Sequence, residues 1–371
     1  MKRIGVKPVA LIALVFAASA AIVIGAVSLR DDPPRPSADA VVAAGAPGAL
    51  VLVDDGSSRR AAAAGLAVLR GRVPLDVRDR FRVGSITKTF VAVAVLQLVD
   101  QHRIRLSDTV ERWLPGLVPA GGHITVRELL GHRSGLADYA ADATFVRETL
   151  ARPRRRWTPR ELVRVALAEG PVARPGERFV YASTNYVLLG MVVERATGTS
   201  LESQLRNRIF EPLGLGDTSF TQSRRFPGRY AHGYAPSEHD GIVGSLATAR
   251  DRSTVGTSWA WAAGSVVSTA PDLSRFLGAL LQGRLLPPRL LELMRPKPGA
   301  RYGLGLAVFR TPCGTAIGHT GALLGIVSAA LSSADGRHRV VAMSNSHPLT
   351  QPAESAFRRL LESSYCSDDV S

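Results

Sequence analysis

Two residues with complementary chemistry lie three positions apart within the first quarter of the chain. Ser85 and Lys88 stand in the segment Val83-Gly84-Ser85-Ile86-Thr87-Lys88-Thr89-Phe90, at the start of a predicted helix. Residues three apart on a helix share one face, so the Lys88 amine can reach the Ser85 hydroxyl. A lysine whose pKa is lowered by burial and by nearby positive charge can remove a hydroxyl proton. The pair therefore predicts a serine nucleophile, Ser85, and a lysine general base, Lys88.

The composition makes Lys88 unusual. Only four of the 46 basic residues are lysine, and the other 42 are arginine. Arginine stays protonated in proteins, whereas a desolvated lysine can become a neutral base. The alternative interpretation is a capping serine followed by a surface lysine. It is weakened because residues 86–99 are almost all apolar or small, which predicts a buried helix.

Two later segments contain residues that could complete a site. In the segment 177–186, Tyr181 and Ser183 stand just before a second predicted helix, where a phenol could shuttle a proton. The segment Gly318-His319-Thr320-Gly321 lies on a predicted strand. Its glycines would let a substrate backbone approach, and Thr320 could donate a hydrogen bond to it. Taken alone, each segment is better explained without a function, by a core tyrosine near a helix cap and by a structural histidine.

In combination, Ser-x-x-Lys, Tyr-x-Ser and His-Thr-Gly in this order resemble the active-site serine penicillin-recognising family. The resemblance is greatest to the exported serine D-Ala-D-Ala carboxypeptidases, with class C β-lactamases and related esterases nearby. It extends over nearly all of the chain, from about Gly48 to Leu361. Further matching segments are Arg82-Val83-Gly84-Ser85, Glu128-Leu129-Leu130-Gly131-His132-Arg133-Ser134-Gly135-Leu136, Ala263-Gly264-Ser265-Val266-Val267-Ser268-Thr269 and Tyr302-Gly303-Leu304-Gly305-Leu306.

This resemblance implies a role for each of the matching residues. Ser85, Lys88 and Tyr181 would be catalytic, with Tyr181 donating a proton to the leaving group. The backbone N–H groups of Ser85 and Ala322 would form an oxyanion hole. The implied substrate-binding residues are Ser183, His319, Thr320, Gly321 and Ala322. The reaction would be acylation of Ser85 followed by hydrolysis, with no metal or other cofactor.

Two positions depart from the family pattern and affect the expected substrate. Ser183 stands where the second motif usually ends in asparagine, and Ala307 where carboxypeptidase relatives can place a cation for a C-terminal carboxylate. We expect a D-Ala-D-Ala carboxypeptidase acting on peptidoglycan peptides. The alternatives are a β-lactamase-like esterase or amidase acting on small esters or β-lactams, and a non-catalytic penicillin-binding sensor. A pure binder needs neither Lys88 nor Tyr181, which disfavours the sensor.

Other functional classes lack their sequence signatures. Neither Ser85, Ser134 nor Ser265 lies within Gly-x-Ser-x-Gly, which disfavours an α/β-hydrolase. The eight histidines are dispersed, which disfavours a zinc hydrolase. The formal net charge is +15, but the arginines are scattered and no aromatic-rich binding module accompanies them. No nucleic-acid partner is therefore expected.

The N-terminus predicts export. Basic residues precede an uncharged run from Pro8 to Leu29, the pattern of a signal peptide, and the run is also long enough to span a bilayer. Cleavage would secrete the protein, whereas retention would anchor it in the membrane. Both place the catalytic part outside the cytoplasm. The only two cysteines, Cys313 and Cys366, are predicted to form a disulfide because exported free thiols are uncommon.

The order of predicted elements indicates an α+β fold, with an antiparallel sheet built from both ends of the chain and flanked by helices. The resemblance makes this the β-lactamase/transpeptidase-like fold with an inserted all-α region. We predict a signal peptide or membrane anchor at residues 1–30, a linker at 31–48, an α/β sheet domain at 49–107 and 250–365, and a mostly helical insertion at 108–249. The predicted strands span 49–53, 61–69, 316–321, 325–332 and 339–345, and the predicted helices include 86–99, 159–168, 186–197, 272–281 and 353–361.

Overall fold

A computed structural model describes residues 37–224, 228–235 and 249–367. The predicted signal peptide or anchor, residues 1–30, and the first part of the predicted linker lie outside these described residues. Within them, no helix is both long and apolar enough to cross a membrane.

The strands of the described chain are concentrated toward its two ends, and most of the helices lie between them. The strands are β1 (Gly48–Asp54), β2 (Arg59–Val68), β3 (Val73–Pro74), β4 (Phe81–Arg82), β5 (Ser219–Phe220), β6 (Tyr234–Ala235), β7 (Arg250–Asp251), β8 (Val266–Ser268), β9 (Ala307–Thr311), β10 (Gly314–Leu323), β11 (Ile326–Ser332) and β12 (Arg339–Ser344). The α-helices are α1 (Ala38–Ala43), α2 (Thr87–Asp100), α3 (Val110–Trp113), α4 (Val126–Leu130), α5 (Ala143–Ala151), α6 (Pro159–Ala168), α7 (Ser183–Thr197), α8 (Leu201–Leu205), α9 (Ala270–Leu281), α10 (Pro288–Met294) and α11 (Gln351–Cys366).

The main sheet joins the two ends of the described chain. Its seven strands follow the order β3-β2-β1-β12-β11-β10-β9, and β1 pairs antiparallel with β12, with Ala49 opposite Ser344. Two small sheets, β4-β8-β5 and β6-β7, accompany it. The predicted antiparallel sheet built from both ends is therefore confirmed.

Alternating residues of β1 face two different cores. Leu50 and Leu52 belong to the larger hydrophobic cluster, whereas Ala49 and Val51 belong to a smaller cluster that includes Phe357 of α11. Successive side chains of a strand point to opposite faces of the sheet. The sheet is thus covered by helices on both faces, and the larger cluster lies on the face of α2.

Helix α2 lies inside the larger cluster. Eleven of its residues are buried, and the ring of Phe90 stacks on Phe276 of α9 with centroids 3.7 Å apart. A helix that is apolar on all sides is stable only when it is enclosed. The residues that begin α2 therefore have fixed surroundings, and Ser85 immediately precedes them.

The prediction of a linker over residues 31–48 is wrong for its second half. Residues 38–43 form α1, which begins at the cap Ser37, whose side chain accepts a hydrogen bond from the Ala40 N–H. Val41 is fully buried against the sheet. The small and polar composition resembles that of a linker, yet one buried valine and an N-cap are enough to dock a short helix.

The predicted disulfide is present. Cys313, in the turn between β9 and β10, is bonded to Cys366 at the end of α11, with Cα atoms 5.4 Å apart. The bond ties the last helix to the edge of the main sheet, beside the strand that contains His319.

Candidate active site

Ser85 occupies a short 3₁₀ turn, residues Gly84–Ile86, that leads into α2. Gly84 has a φ of +54°, and a Cβ atom there would lie 2.8 Å from the backbone nitrogen of Ala322. Only glycine accepts both this conformation and this close approach. The turn therefore holds Ser85 directly against β10.

The Lys88 amine contacts Ser85. Lys88 is fully buried, and its Nζ donates to Ser85 Oγ at 2.9 Å and to the carbonyl of Ala263 at 3.0 Å. Burial lowers the pKa of Lys88 from its ordinary 10.5 to about 7, and the negative charge of Asp138 opposes this shift. The amine can therefore exchange a proton with Ser85 near neutral pH.

Tyr181 completes the cluster from the segment before α7. The Lys88 Nζ lies 4.9 Å from the centroid of the Tyr181 ring. The Tyr181 hydroxyl is buried and makes no hydrogen bond within the described residues. Burial raises the pKa of Tyr181, although the nearby Ser85 hydroxyl acts in the opposite direction. The phenol therefore stays protonated and can act as a proton donor.

Ser183 begins α7 and lies beside a carboxylate. Its backbone N–H donates to Oδ1 of Asp138 at 3.0 Å, and the N–H of Ala140 donates to the same oxygen at 3.1 Å. Burial raises the pKa of Asp138, whereas the positive charge of Lys88 and these hydrogen bonds lower it. Asn185, two residues further, accepts from Ser134 at 2.5 Å in the core. Because its side chain is used in the core, Asn185 does not take the place of the asparagine that usually ends the family's second motif.

Strand β10 passes along the other side of Ser85. Leu323 and Ile326 flank the two-residue turn between β10 and β11 and form its closing hydrogen-bonded pair. By the alternation of antiparallel pairing, the next pair, Ala322 and Val327, is a non-hydrogen-bonded one, which directs the N–H of Ala322 away from β11. The backbone nitrogen of Ala322 is also the atom nearest to where a Cβ on Gly84 would lie, at 2.8 Å.

The two glycines of the His-Thr-Gly segment, Gly318 and Gly321, lie tightly against other parts of the backbone. A Cβ atom on Gly321 would lie 2.0 Å from the carbonyl oxygen of Val83, and one on Gly318 would lie 1.9 Å from that of Ala330. We expected these glycines to admit a substrate backbone. The structure shows that the position of a Cβ atom on each glycine is occupied by neighbouring backbone, and the contact of Gly321 with substrate stays a prediction.

The His319 side chain bonds within the protein. Its Nδ1 lies 2.5 Å from the carbonyl oxygen of Thr320 and must donate, so its Nε2 accepts from the Tyr302 hydroxyl at 3.2 Å. Burial lowers the pKa of His319 to about 3. The ring is therefore neutral and supports β10, whereas Thr320, which was predicted to contact substrate, is half-buried on the same strand.

These elements enclose a small cleft over Ser85. Most of the residues in its walls are aromatic or have small side chains, and Lys88 is the only cation among the described residues that line it. The lining residues are Gly84, Ser85, Lys88, Tyr139, Ala140, Ser183, Trp259, Ala260, Ala263, Gly264, Ala322 and Leu323. Ala307, where a cation was expected in carboxypeptidases, is the first residue of β9 and pairs with Gly318.

Some residues of the site were not predicted from sequence. Asp138 and Tyr139 follow the segment that ends at Leu136, and Trp259 precedes Ala263-Gly264. Each lies within a few residues of a motif that the resemblance had already singled out. No group of three or more His, Cys, Asp or Glu side chains among the described residues is arranged to hold a metal ion.

Comparisons with known proteins identify the family and the fold of the chain. The beta-lactamase family profile matches residues 37–364. Penicillin-binding protein 4* of Bacillus subtilis is 28% identical over 302 residues, which cover 77% of this chain and 65% of that protein, just under two thirds.

Two solved structures are similar over most of their length. The D-stereospecific amidohydrolase from Streptomyces sp. has 37% sequence identity and a TM-score of 0.80, over 90% of this chain and 97% of that one. The D-amino acid amidase from Ochrobactrum anthropi SV3 has 30% identity and a TM-score of 0.76, over 88% and 95%. With the matching profile, these similarities show that the chain belongs to the beta-lactamase family of serine hydrolases, with the β-lactamase/transpeptidase-like fold.

Proposed function

We propose that this protein hydrolyses a small amide or peptide bond through an acyl-enzyme on Ser85. The observation that supports this most directly is the 2.9 Å hydrogen bond between Lys88 Nζ and Ser85 Oγ. Because burial lowers the pKa of Lys88 to about 7, about half of these amines are neutral at pH 7. A neutral amine can accept the Ser85 proton, which makes the hydroxyl nucleophilic.

The proposed steps use the groups around Ser85 in turn. The Ser85 oxygen attacks the carbonyl carbon, its proton moves to Lys88, and the N–H groups of Ser85 and Ala322 bind the oxyanion. Tyr181 then gives its proton to the leaving nitrogen as the C–N bond breaks, and takes a proton from the Lys88 ammonium. Water then attacks the Ser85 ester and gives one proton to the neutral Lys88 amine, which passes it to Ser85 Oγ as the ester C–O bond breaks. The acid is released, and Ser85 regains its hydroxyl.

The charge at the cleft favours a substrate with a free amino group. Asp138 lies directly behind the wall of the cleft, where it accepts hydrogen bonds from the backbone of Ser183 and Ala140, both of which line the cleft. A carboxylate at this position attracts an ammonium group and repels a carboxylate. The two similar solved structures are described as a D-stereospecific amidohydrolase and a D-amino acid amidase. We therefore propose amides and short peptides of D-amino acids as the substrate class.

A D-alanyl-D-alanine carboxypeptidase acting on peptidoglycan peptides is the second candidate. Similarity to penicillin-binding protein 4* of Bacillus subtilis favours it. The cleft argues against it, because no described cation other than Lys88 lines the walls to bind a C-terminal carboxylate.

Labelling with a fluorescent penicillin tests the acyl-enzyme. The wild type should be labelled and Ser85→Ala should not, because Ser85 is the cleft serine whose hydroxyl contacts the Lys88 amine. Ser265→Ala is a matched control, since the Ser265 hydroxyl is buried and donates to the carbonyl of Thr257. Equal labelling of Ser85→Ala and the wild type contradicts the proposal.

A substrate panel tests the substrate class. D-Phenylalanine amide should be hydrolysed faster than its L isomer and its N-acetyl derivative, and faster than D-alanine is released from a peptide ending in D-Ala-D-Ala. Asp138→Asn should remove most of the preference for the free amine while leaving the N-acetyl rate similar. Fast D-alanine release with no amide hydrolysis would establish the second candidate instead.

We also propose that the chain is exported. The basic residues followed by an uncharged run from Pro8 to Leu29 support this. Expression of the full-length gene, cell fractionation and N-terminal sequencing of the product would distinguish a secreted from an anchored form. A full-length product confined to the cytosol would contradict export.

A further inference from the structure

His132 follows α4 and contacts the residues on both sides of Tyr181. Its carbonyl oxygen accepts from the N–H of Val180 at 2.8 Å, and its ring Nδ1 accepts from the N–H of Ala182 at 3.2 Å. The two hydrogen bonds together fix the backbone before and after Tyr181.

The His132 ring also lies against Tyr181. The two ring centroids are 4.2 Å apart and the rings are inclined by 28°, which is a stacked arrangement. His132 itself has a φ of +54°, a conformation that a non-glycine residue keeps only when surrounding contacts hold it. The contacts to residues 180–182 are of that kind.

The hydrogen bonds of the ring define its tautomer. Nδ1 accepts from both the Ala182 N–H and, at 3.1 Å, the Asn185 side-chain amide, so the single ring proton is on Nε2. Nε2 is buried and has no hydrogen-bond acceptor within the described residues. The ring of Tyr302 lies edge-on to His132 with centroids 4.9 Å apart.

We propose that His132 is a positioning residue, which holds the Tyr181 hydroxyl at the point where it protonates the leaving group. This inference rests on the proposed role of Tyr181 as proton donor. His132 is not itself suited to proton transfer, because its only acceptor nitrogen is occupied by two N–H donors. It is also absent from the walls of the cleft.

The proposal predicts which reactions depend on His132. Breaking a C–N bond requires a proton on the leaving nitrogen, which Tyr181 supplies. A p-nitrophenyl ester releases a stable anion and needs no such proton. Displacing the Tyr181 hydroxyl should therefore slow amide hydrolysis much more than ester hydrolysis, whereas general destabilisation of the site would slow both.

Two substitutions separate the contacts of His132. His132→Asn keeps an acceptor for the Ala182 N–H but removes the ring, and His132→Phe keeps the stacking but removes the acceptor. Each should lower kcat for D-phenylalanine amide by about tenfold to a hundredfold, since a displacement of about 1 Å can have an effect of that size. Each should change kcat for the p-nitrophenyl ester of the same acyl group by less than about threefold.

Combination with Tyr181→Phe, which removes only the hydroxyl, completes the test. In that background a His132 substitution should have no further effect on amide hydrolysis, since the positioned group is absent. Ser265→Ala is the matched control, because it removes a buried hydrogen bond, to the Thr257 carbonyl, that involves neither His132 nor Tyr181. Its amide-to-ester ratio should equal that of the wild type, and thermal unfolding of every variant confirms folding.

The outcomes distinguish the inference from the proposed function. If Tyr181→Phe leaves the amide-to-ester ratio unchanged, the proposed role of Tyr181 fails and the inference fails with it. If Tyr181→Phe lowers the ratio but neither His132 variant does, only the inference is overturned. Equal loss on both substrates, or additive losses in the double variant, also overturns it.

Discussion

Replacement of Lys88 by arginine tests the proposed base most directly. The pKa of Lys88 is lowered by burial from 10.5 to about 7. At pH 7 the neutral fraction is then about one half, compared with roughly one in three thousand for an ordinary lysine. Arginine never becomes neutral in a protein. We therefore expect Lys88→Arg to lose about a thousandfold or more in the rate of acylation.

The pH dependence of the wild type has a defined direction. Only the neutral amine accepts the Ser85 proton, so the acylation rate should rise about tenfold per pH unit below pH 7 and level off above it. Single-turnover labelling by a fluorescent penicillin, from about pH 5 to about pH 9, measures this profile. A midpoint near that of an ordinary lysine, or substantial acylation by folded Lys88→Arg, would refute the assignment of the base.

Stability provides an independent measurement on the same residue. Because the folded pKa of Lys88 lies below the unfolded value, the unfolded chain binds the extra proton between about pH 7 and 10.5. The cost of burying the lysine is therefore complete below pH 7 and disappears as the pH rises to 10.5. The difference between the two pKa values corresponds to roughly 5 kcal/mol in the free energy of unfolding. Lys88→Met should be inactive but more stable than the wild type at pH 7, by urea unfolding.

Three further substitutions test the elements around the site. Gly321→Ala, whose Cβ would lie 2.0 Å from the Val83 carbonyl oxygen, should lower penicillin labelling more than tenfold, by about the effect of a 1 Å displacement; normal labelling would show that β10 can shift freely. Cys366→Ser opens a disulfide between residues 53 apart in sequence and should lower the free energy of unfolding by up to about 4 kcal/mol. Its labelling per folded molecule should be unchanged, and a change would connect the disulfide to the site. Asp54→Ala leaves the buried Arg339 without its carboxylate and should cost about 3–5 kcal/mol in urea unfolding. A cost below about 1 kcal/mol would mean that water or another group compensates Arg339.

Local sequence rules were sufficient for the parts of the site that lie on regular elements. Ser85 and Lys88 are neighbours because a helical turn separates them, and the apolar run after them made burial of Lys88 predictable. The strands of the main sheet were predictable from their apolar runs and from the turn at Gly336. Helix α6 coincides with the predicted range 159–168 because a threonine cap, a proline and Glu161 mark its start.

The rest depends on contacts between segments that are distant in sequence. Asp138 and His132 lie in irregular segments, and their importance comes from Ser183 and Tyr181, which are about fifty residues away. Glycine in a strand can admit either a ligand or a neighbouring backbone, and only the fold decides between them. At Gly321 the backbone of Val83 occupies the space that a Cβ atom would need.

The charge of Asp138 connects substrate binding to the protonation of Lys88. The Asp138 carboxylate opposes the lowering of the Lys88 pKa by burial, so it favours the protonated amine in the empty site. A substrate ammonium bound at Asp138 would offset that negative charge and allow Lys88 to become neutral at lower pH. The midpoint of the kcat profile should then be lower for an amide with a free amine than for its N-acetyl derivative. In Asp138→Asn the two midpoints should coincide, because the carboxylate that the ammonium neutralises is absent. The carboxylate would thus select the substrate and, once occupied, activate the base that attacks it.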